Sequence, residues 1–217
     1  ARSSIARSVI AVVSDGATDK TNSIVTAMSE SEPRLQLYSY SPNRGKGYAV
    51  KKGMLAAQAE WVLFSDADLA APIEEIEKLI PFLDQGTPIA IGSRPLKESH
   101  LEIRQPWYRE FLGRAFNGAV QLLAVRGISD TQCGFKLFTQ DAAQQVFSRC
   151  KLDGFSFDFE ALLIARDLGL VVAEVPIRWA HQEGSKVNLV RDGTRMIIDL
   201  IKLRFKGKSH RIKVIAD

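Results

Sequence analysis

Histidine and cysteine are scarce in this chain, three and two residues among 217, and that scarcity excludes several chemistries. Cys133 and Cys150 cannot build a disulfide framework, and neither stands near a histidine at zinc-binding spacing. The histidines are scattered, so no histidine-based catalytic cluster can be assembled. Long apolar runs are lacking as well: none approaches the roughly 20 residues of a membrane span, and no signal-peptide pattern is present. A reduced, cytosolic setting is the resulting expectation. Nor does one sign of charge dominate. With 29 Lys and Arg against 25 Asp and Glu, the formal net charge is +4, and no nucleic-acid partner is indicated. What is present is a 46% hydrophobic content with mixed charge, enough for one substantial globular core.

The chain is organised around Trp61 to Pro72, WVLFSDADLAAP. Trp61 to Phe64 is a short apolar run of β-favouring residues, and Pro72 opens a helical pattern in Ile73, Ile76, Leu79 and Ile80. Asp66 and Asp68 therefore fall at the carboxyl end of a strand, where open α/β sheets place ligands. In an extended segment the two side chains would project together past Ala67. Such a pair suits Mg²⁺ or Mn²⁺ held jointly with nucleotide phosphates; the other reading is that one Asp caps the helix while its neighbour is solvated.

Other units repeat this plan. Val9 to Val13 predicts a buried strand running into Ser14-Asp15-Gly16-Ala17-Thr18-Asp19, where Gly16 provides a tight turn and Thr18 or Asp19 caps a helix with Ile24, Val25 and Met28 on its apolar face. Asp15 there is either a uracil or ribose contact or part of an ordinary capped turn. Leu35 to Ser39 alternates as a second strand. It leads into Pro42 to Val50, where Gly45 and Gly47 permit close backbone approach and Arg44 and Lys46 bring charge suited to a diphosphate. The glycine spacing differs from a Walker A loop, leaving a flexible basic turn as the other possibility. Pro88 to Ile91 is a further strand, ending in Gly92-Ser93-Arg94. A helix is expected from Arg109 to Val125, then Asp130 to Phe138, a helix from Phe155 to Leu168 stopped by Gly169, and a strand from Val171 to Ile177. Alternating strands and helices of this size predict an α/β domain with acidic, basic and glycine positions along one sheet edge.

The ordered motifs DGATDKT, NRGKGYA, DADLAAP, GSR, DTQCGFKLF, SFDFE and EGSK resemble the inverting glycosyltransferases of family 2, with a GT-A fold, over about residues 9 to 205. Within that family the resemblance is to the dolichyl-phosphate β-glucosyltransferases and their prokaryotic polyprenyl-phosphate relatives. It implies a single Rossmann-like domain over 1–193 with a mostly parallel sheet flanked by helices, followed by a basic amphipathic segment over 194–217. It also implies that Asp15 contacts the uracil of UDP-glucose, Asp66 the ribose or metal, and Asp68 the Mg²⁺ or Mn²⁺ that bridges the diphosphate. Arg94 and Arg109 would receive the acceptor phosphate, with Lys186 closing over it or the diphosphate. The family's opening Pro-x-Tyr-Asn-Glu type turn has no counterpart before Val9, so residues are expected upstream or the nucleotide pocket is incomplete. Ser14 stands where the wider family often has a second acidic residue, and Gly113 where mannosyl relatives can carry Ser.

A lipid monophosphate, with a second pKa of about 6, needs no general base, which fits a site rich in Arg and Lys without a poised histidine. A hydroxyl acceptor would need one, for which Asp130, Asp158 and Glu160 are candidates. Thr194 to Lys208 carries Met196, Ile197, Leu200, Ile201, Leu203 and Phe205 beside Arg195, Lys202, Arg204, Lys206 and Lys208. This is the composition of a helix in an anionic interface, or of a terminal helix packed on the core. The expected localisation is cytoplasmic, peripheral at the cytoplasmic face of a membrane. Alternatives are a polyprenyl-phosphate mannosyltransferase, a family 2 enzyme with a hydroxyl acceptor, a nucleotidyltransferase and an inactive UDP-binding module.

Overall fold

The computed structural model describes residues 8–96, 99–103, 118, 127–180, 189–206 and 214–216. Strand β1 (Ile10–Asp15) pairs in parallel with β2 (Leu35–Tyr40), and α1 (Thr21–Ser31) makes the crossover between them. The Asp19 carboxylate accepts the Thr21 amide at 2.9 Å at the start of α1, satisfying an otherwise orphaned donor. The expected apolar face of α1 is not covered, since Ile24 and Met28 are both exposed.

Five strands form the central sheet in the order β3 (Trp61–Ser65), β6 (Phe135–Thr139), β4 (Ile89–Ser93), β7 (Val172–Pro176) and β9 (Val214–Ala216). Four run one way, and β6 runs against both of its neighbours. The architecture is thus α/β with a mostly parallel sheet, as expected. The reversed β6 has a direct consequence: its amino-terminal end lies beside the carboxyl ends of β3 and β4, so residues 130–134 meet Asp66 and Arg94 at one edge. A separate parallel pair joins β5 (His100–Ile103) to β8 (Arg178–Ala180).

The period-two pleat sorts the strand side chains between two cores. Val62, Phe64, Ile89, Ile91 and Phe138 meet α2 (Lys46–Ala56), α4 (Gln140–Phe147) and α5 (Phe157–Asp167) on one face. Leu63, Ala90, Phe135, Leu137 and Val175 meet α3 (Ile76–Asp84) on the other. A short 3₁₀ turn, Ile73–Glu75, precedes α3, because Pro72 fixes the entry but lacks an N–H.

Helix α6 (Leu189–Lys206) spans the expected boundary at residue 194. It lies on the first core through Leu200, which is fully buried, with Met196 and Leu203 beside it, and Ser156 Oγ donates to Asp199 at 2.7 Å. The sequence grouped six apolar residues of this helix on one side. The structure divides them, since Met196, Leu200 and Leu203 face the core while Ile197 and Ile201, together with Ile198 outside that group, are exposed at 44–47%. The expected helix over 109–125 lies almost wholly outside the described residues.

Candidate active site

Asp66 follows β3 directly and does not sit in an extended segment. Residues 66–69 form a turn in which the Leu69 amide donates to the Asp66 carbonyl at 3.2 Å and Leu69 takes φ 53°. The two acidic side chains therefore leave a turn and do not share a pleat. Asp66 is half-buried; Asp68 is exposed, with Oδ1 accepting the Ala70 amide at 3.0 Å.

Asp66 rests on the 130–134 loop. Its amide donates to the Gly134 carbonyl at 2.9 Å, and a Cβ built on Gly134 would lie 2.1 Å from Asp66 Oδ2. Only glycine lets the carboxylate occupy that position. On its other side Lys46 Nζ is 2.7 Å from Asp66 Oδ1. Burial works against the Lys46 charge, but Asp158 and Asp66 outweigh it and raise its pKa. The turn already attracts a cation. Two hard carboxylates with one outward-facing member fit Mg²⁺ or Mn²⁺ whose remaining positions come from phosphates, so Asp66 and Asp68 are the residues that could hold the ion.

The loops of β1 and β2 lock together near this turn. Asp15 Oδ1 and Oδ2 accept the backbone amides of Arg44 and Gly45 at 2.7 and 2.8 Å, and Asn43 Nδ2 donates to the Asp15 carbonyl. The Asp15 carboxylate thus clamps the basic loop. Gly16, at φ +65°, crosses so close to Asn43 that a Cβ would lie 2.4 Å from its nitrogen. Gly45 and Gly47 instead press on the carbonyls of Asp153 and Leu152. Close backbone approach, expected toward a ligand, is made to the 152–154 loop. Arg44 lies 3.6 Å over the Tyr48 ring and pairs with Asp153 at 3.2 Å.

Arg94, at the end of β4, meets Asp130 through two parallel bonds, Nε to Oδ2 at 2.6 Å and Nη2 to Oδ1 at 2.7 Å. This fork geometry fixes the guanidinium plane. Burial alone would raise the Asp130 pKa, yet Arg94 dominates and holds the carboxyl below the usual range. The Arg94 guanidinium also lies 5.5 Å from the Trp179 ring centre. A small cleft beside the acidic turn is lined by Asp66, Ala71, Cys133, Gly134 and Trp179. Burial pushes the Cys133 thiol up to about 12, so it is an inert wall.

Asp158 and Glu160, the other carboxylates able to serve as bases, are both engaged. Asp158 meets Lys136 Nζ at 2.5 Å, with both side chains buried; burial raises its pKa against the pull of Lys136 and Lys46. Glu160 accepts the amides of Lys151 and Leu152 at 2.8 to 3.0 Å, and burial raises it too. Arg109 and Lys186 lie outside the described residues.

Two site residues escaped the sequence reading. Lys136, which donates to the Cys133 carbonyl at 2.6 Å, fixes the turn beneath Asp66. Glu174 accepts from three donors beneath Arg94 and Asp130. Each is a lone charge inside an apolar strand run, FKLFT and VAEVP, and a charge so placed requires partners. That was the available signal.

A profile of Glycosyl transferase family 2 matches residues 6–147. The chain belongs to that family. Among curated relatives of this family 2 chain, the Dictyostelium discoideum dolichyl-phosphate beta-glucosyltransferase is 36% identical over 206 residues, covering 91% of this chain and 62% of that protein. Its Drosophila melanogaster namesake is 39% identical over 186 residues, covering 82% and 57%. The family 2 chain thus spans about three-fifths of the length of these relatives. Among solved structures, the Mycobacterium tuberculosis glucosyl-3-phosphoglycerate synthase in complex with Mn²⁺, UDP-glucose and phosphoglyceric acid aligns with a TM-score of 0.65 at 18% identity. That alignment covers 92% of this chain and 69% of that one. The likeness establishes the GT-A fold.

Proposed function

We propose that this protein moves glucose from UDP-glucose to the monophosphate of a polyprenyl lipid of the dolichyl type, with inversion and with a divalent cation as cofactor. The observation that carries the reading is the 130–134 loop, which holds Arg94 through Asp130 at one end and seats Asp66 on Gly134 at the other. A turn able to hold a cation and a fixed arginine are therefore tied to the two ends of one loop. The relatives named for dolichyl phosphate and the structural neighbour holding UDP-glucose support this choice of acceptor and donor.

Lys46, which contacts Asp66 of the acidic turn, and Arg44 of the same loop are assigned to the donor diphosphate. A divalent ion there supplies charge neutralisation for the departing UDP. Arg94 and Arg109 are assigned to the acceptor phosphate, for which a fixed guanidinium fork is well shaped, and Lys186 to closing over it or the diphosphate. In the transfer a phosphate oxygen forms the new bond to the anomeric carbon from the side opposite UDP. The old bond to UDP oxygen breaks, and UDP keeps the electron pair. No proton has to move. This agrees with Asp130, Asp158 and Glu160 each being committed to a cation or to backbone amides.

A lipid acceptor also calls for a membrane surface, and we assign peripheral attachment at the cytoplasmic face to α6. Its exposed Ile197, Ile198 and Ile201 lie beside the exposed Arg191, Arg195 and Lys202, the pattern of an interfacial helix on anionic lipid.

The test is an assay with UDP-glucose, Mn²⁺ or Mg²⁺ and a short polyprenyl phosphate, in which UDP and glycolipid are followed together. Equal amounts of both products are expected, and Asp68→Ala should abolish metal-dependent turnover with the fold intact. Pyrophosphate release would indicate a nucleotidyltransferase, and UDP binding without turnover an inactive module. An unchanged rate in Asp68→Ala removes the proposed role of the turn.

A further inference from the structure

Glu174 is 2% exposed on β7, separated from β3 and its acidic turn by β6 and β4, and does not line the cleft. Its carboxylate nevertheless gathers three donors. Oε1 accepts Ser93 Oγ at 2.7 Å and the Asp130 amide at 2.7 Å, and Oε2 accepts the Ser129 amide at 2.9 Å.

These donors are the ones that matter for Arg94. Ser93 is the residue immediately before Arg94 at the end of β4, and Asp130 holds the Arg94 guanidinium at 2.6 and 2.7 Å. The Arg94 amide also donates to Asp130 Oδ2 at 3.1 Å. One buried carboxylate thereby fixes both origins of the Arg94–Asp130 pair, the backbone from which the arginine leaves and the backbone from which its partner leaves. A buried charge is costly unless hydrogen-bonded. A side chain that served packing alone would be apolar at this position, as Val172, Ala173 and Val175 are.

We infer that Glu174 is a positioning residue for acceptor-phosphate capture, acting through Asp130 to hold the Arg94 guanidinium at one angle. The inference rests on the proposed acceptor role of Arg94. Glu174→Gln preserves shape but offers one acceptor oxygen where the carboxylate has two, so one of the amide or hydroxyl donors meets an NH₂ group. Small displacements of a binding group cost up to about 100-fold in rate. The expected result is a rise of about tenfold in KM for a short polyprenyl phosphate, with KM for UDP-glucose and the affinity for UDP unchanged.

Non-additivity distinguishes positioning from mere support of the fold. In Arg94→Ala the acceptor KM rises, and adding Glu174→Gln to it should raise that KM no further. Equal losses toward donor and acceptor, or full additivity with Arg94→Ala, would overturn the inference while leaving the acceptor reading intact. An unchanged acceptor KM in Arg94→Ala would sink both. Should Glu174→Gln fail to fold, Ser93→Ala removes one of the three bonds and decides the matter by the same selective rise, smaller in size; no rise in acceptor KM would count against it.

Discussion

Gly134 shows how a single atom sets the site. The space its missing Cβ would fill is taken by the Asp66 carboxylate, 2.1 Å from where that carbon would be. Gly134→Ala should therefore expel Asp66 from its seat and leave the strands alone, because the obstructed group is a short side chain at a turn and not β6 backbone. We expect the affinity for UDP with Mn²⁺ to fall at least about tenfold, a loss near the 1.4 kcal/mol that one decade represents, with an unchanged circular dichroism spectrum. Titration calorimetry checks this; parent-like UDP affinity would contradict the seating. Lys136 below the same turn behaves differently. Its removal leaves Asp158 buried without its closest cation, a change that costs about 3–5 kcal/mol when a buried pair is broken, so Lys136→Met is expected to lower thermal stability before it lowers affinity.

The 3₁₀ turn and helix α3, which follow the acidic turn at 66–69, are held by Glu75, whose buried carboxylate meets Arg178 Nε and Lys78 Nζ, each at 2.6 Å, and the Arg178 amide at 3.0 Å. Burial raises its pKa, but the two cations and the amide together bring it below 4.5. Depressed in the fold, the group contributes stability that is fully present above its unfolded value and is lost as pH falls through the folded one. Glu75→Gln should thus be less stable than the parent by about 1–3 kcal/mol at pH 7, and the gap should narrow as pH falls below the unfolded glutamate value of about 4.3. Urea titrations at pH 7 and pH 3.5 measure it, and a gap independent of pH would refute the linkage. At this scale much was legible. Apolar runs bounded by glycine and proline marked β1 to β4 and β7, and Gly169, at φ +72°, ended α5 as its position implied. The reversed direction of β6 was not legible, because FKLFT reads as a buried strand in either orientation. The turn at 66–69 was also hidden, since an Asp-x-Asp pattern is compatible with both a strand end and a turn.

For the molecule as a whole, the division of α6 between two surroundings follows helical spacing: at about 100° per residue Met196, Leu200 and Leu203 fall on one side and Ile197, Ile198 and Ile201 on the other, and the first set is the one packed on the core. Grouping the apolar residues of the segment by composition, without that spacing, hid the division. If the outer set meets lipid, replacing Ile197 and Ile201 with Glu should abolish flotation with anionic vesicles without lowering the melting temperature, because neither side chain is buried. Retained flotation would separate α6 from membrane attachment. The two ends of the 130–134 loop carry the proposed reaction: a nucleotide-bound sugar at the acidic turn and a phosphate at Arg94, a transfer that needs no general base. The most direct measurement compares a short polyprenyl phosphate with the matching polyprenol as acceptors, quantifying glucosylated lipid and UDP at saturating UDP-glucose. The account predicts one glucosylated lipid per UDP with the phosphate and none with the alcohol. Equal transfer to the alcohol would contradict it.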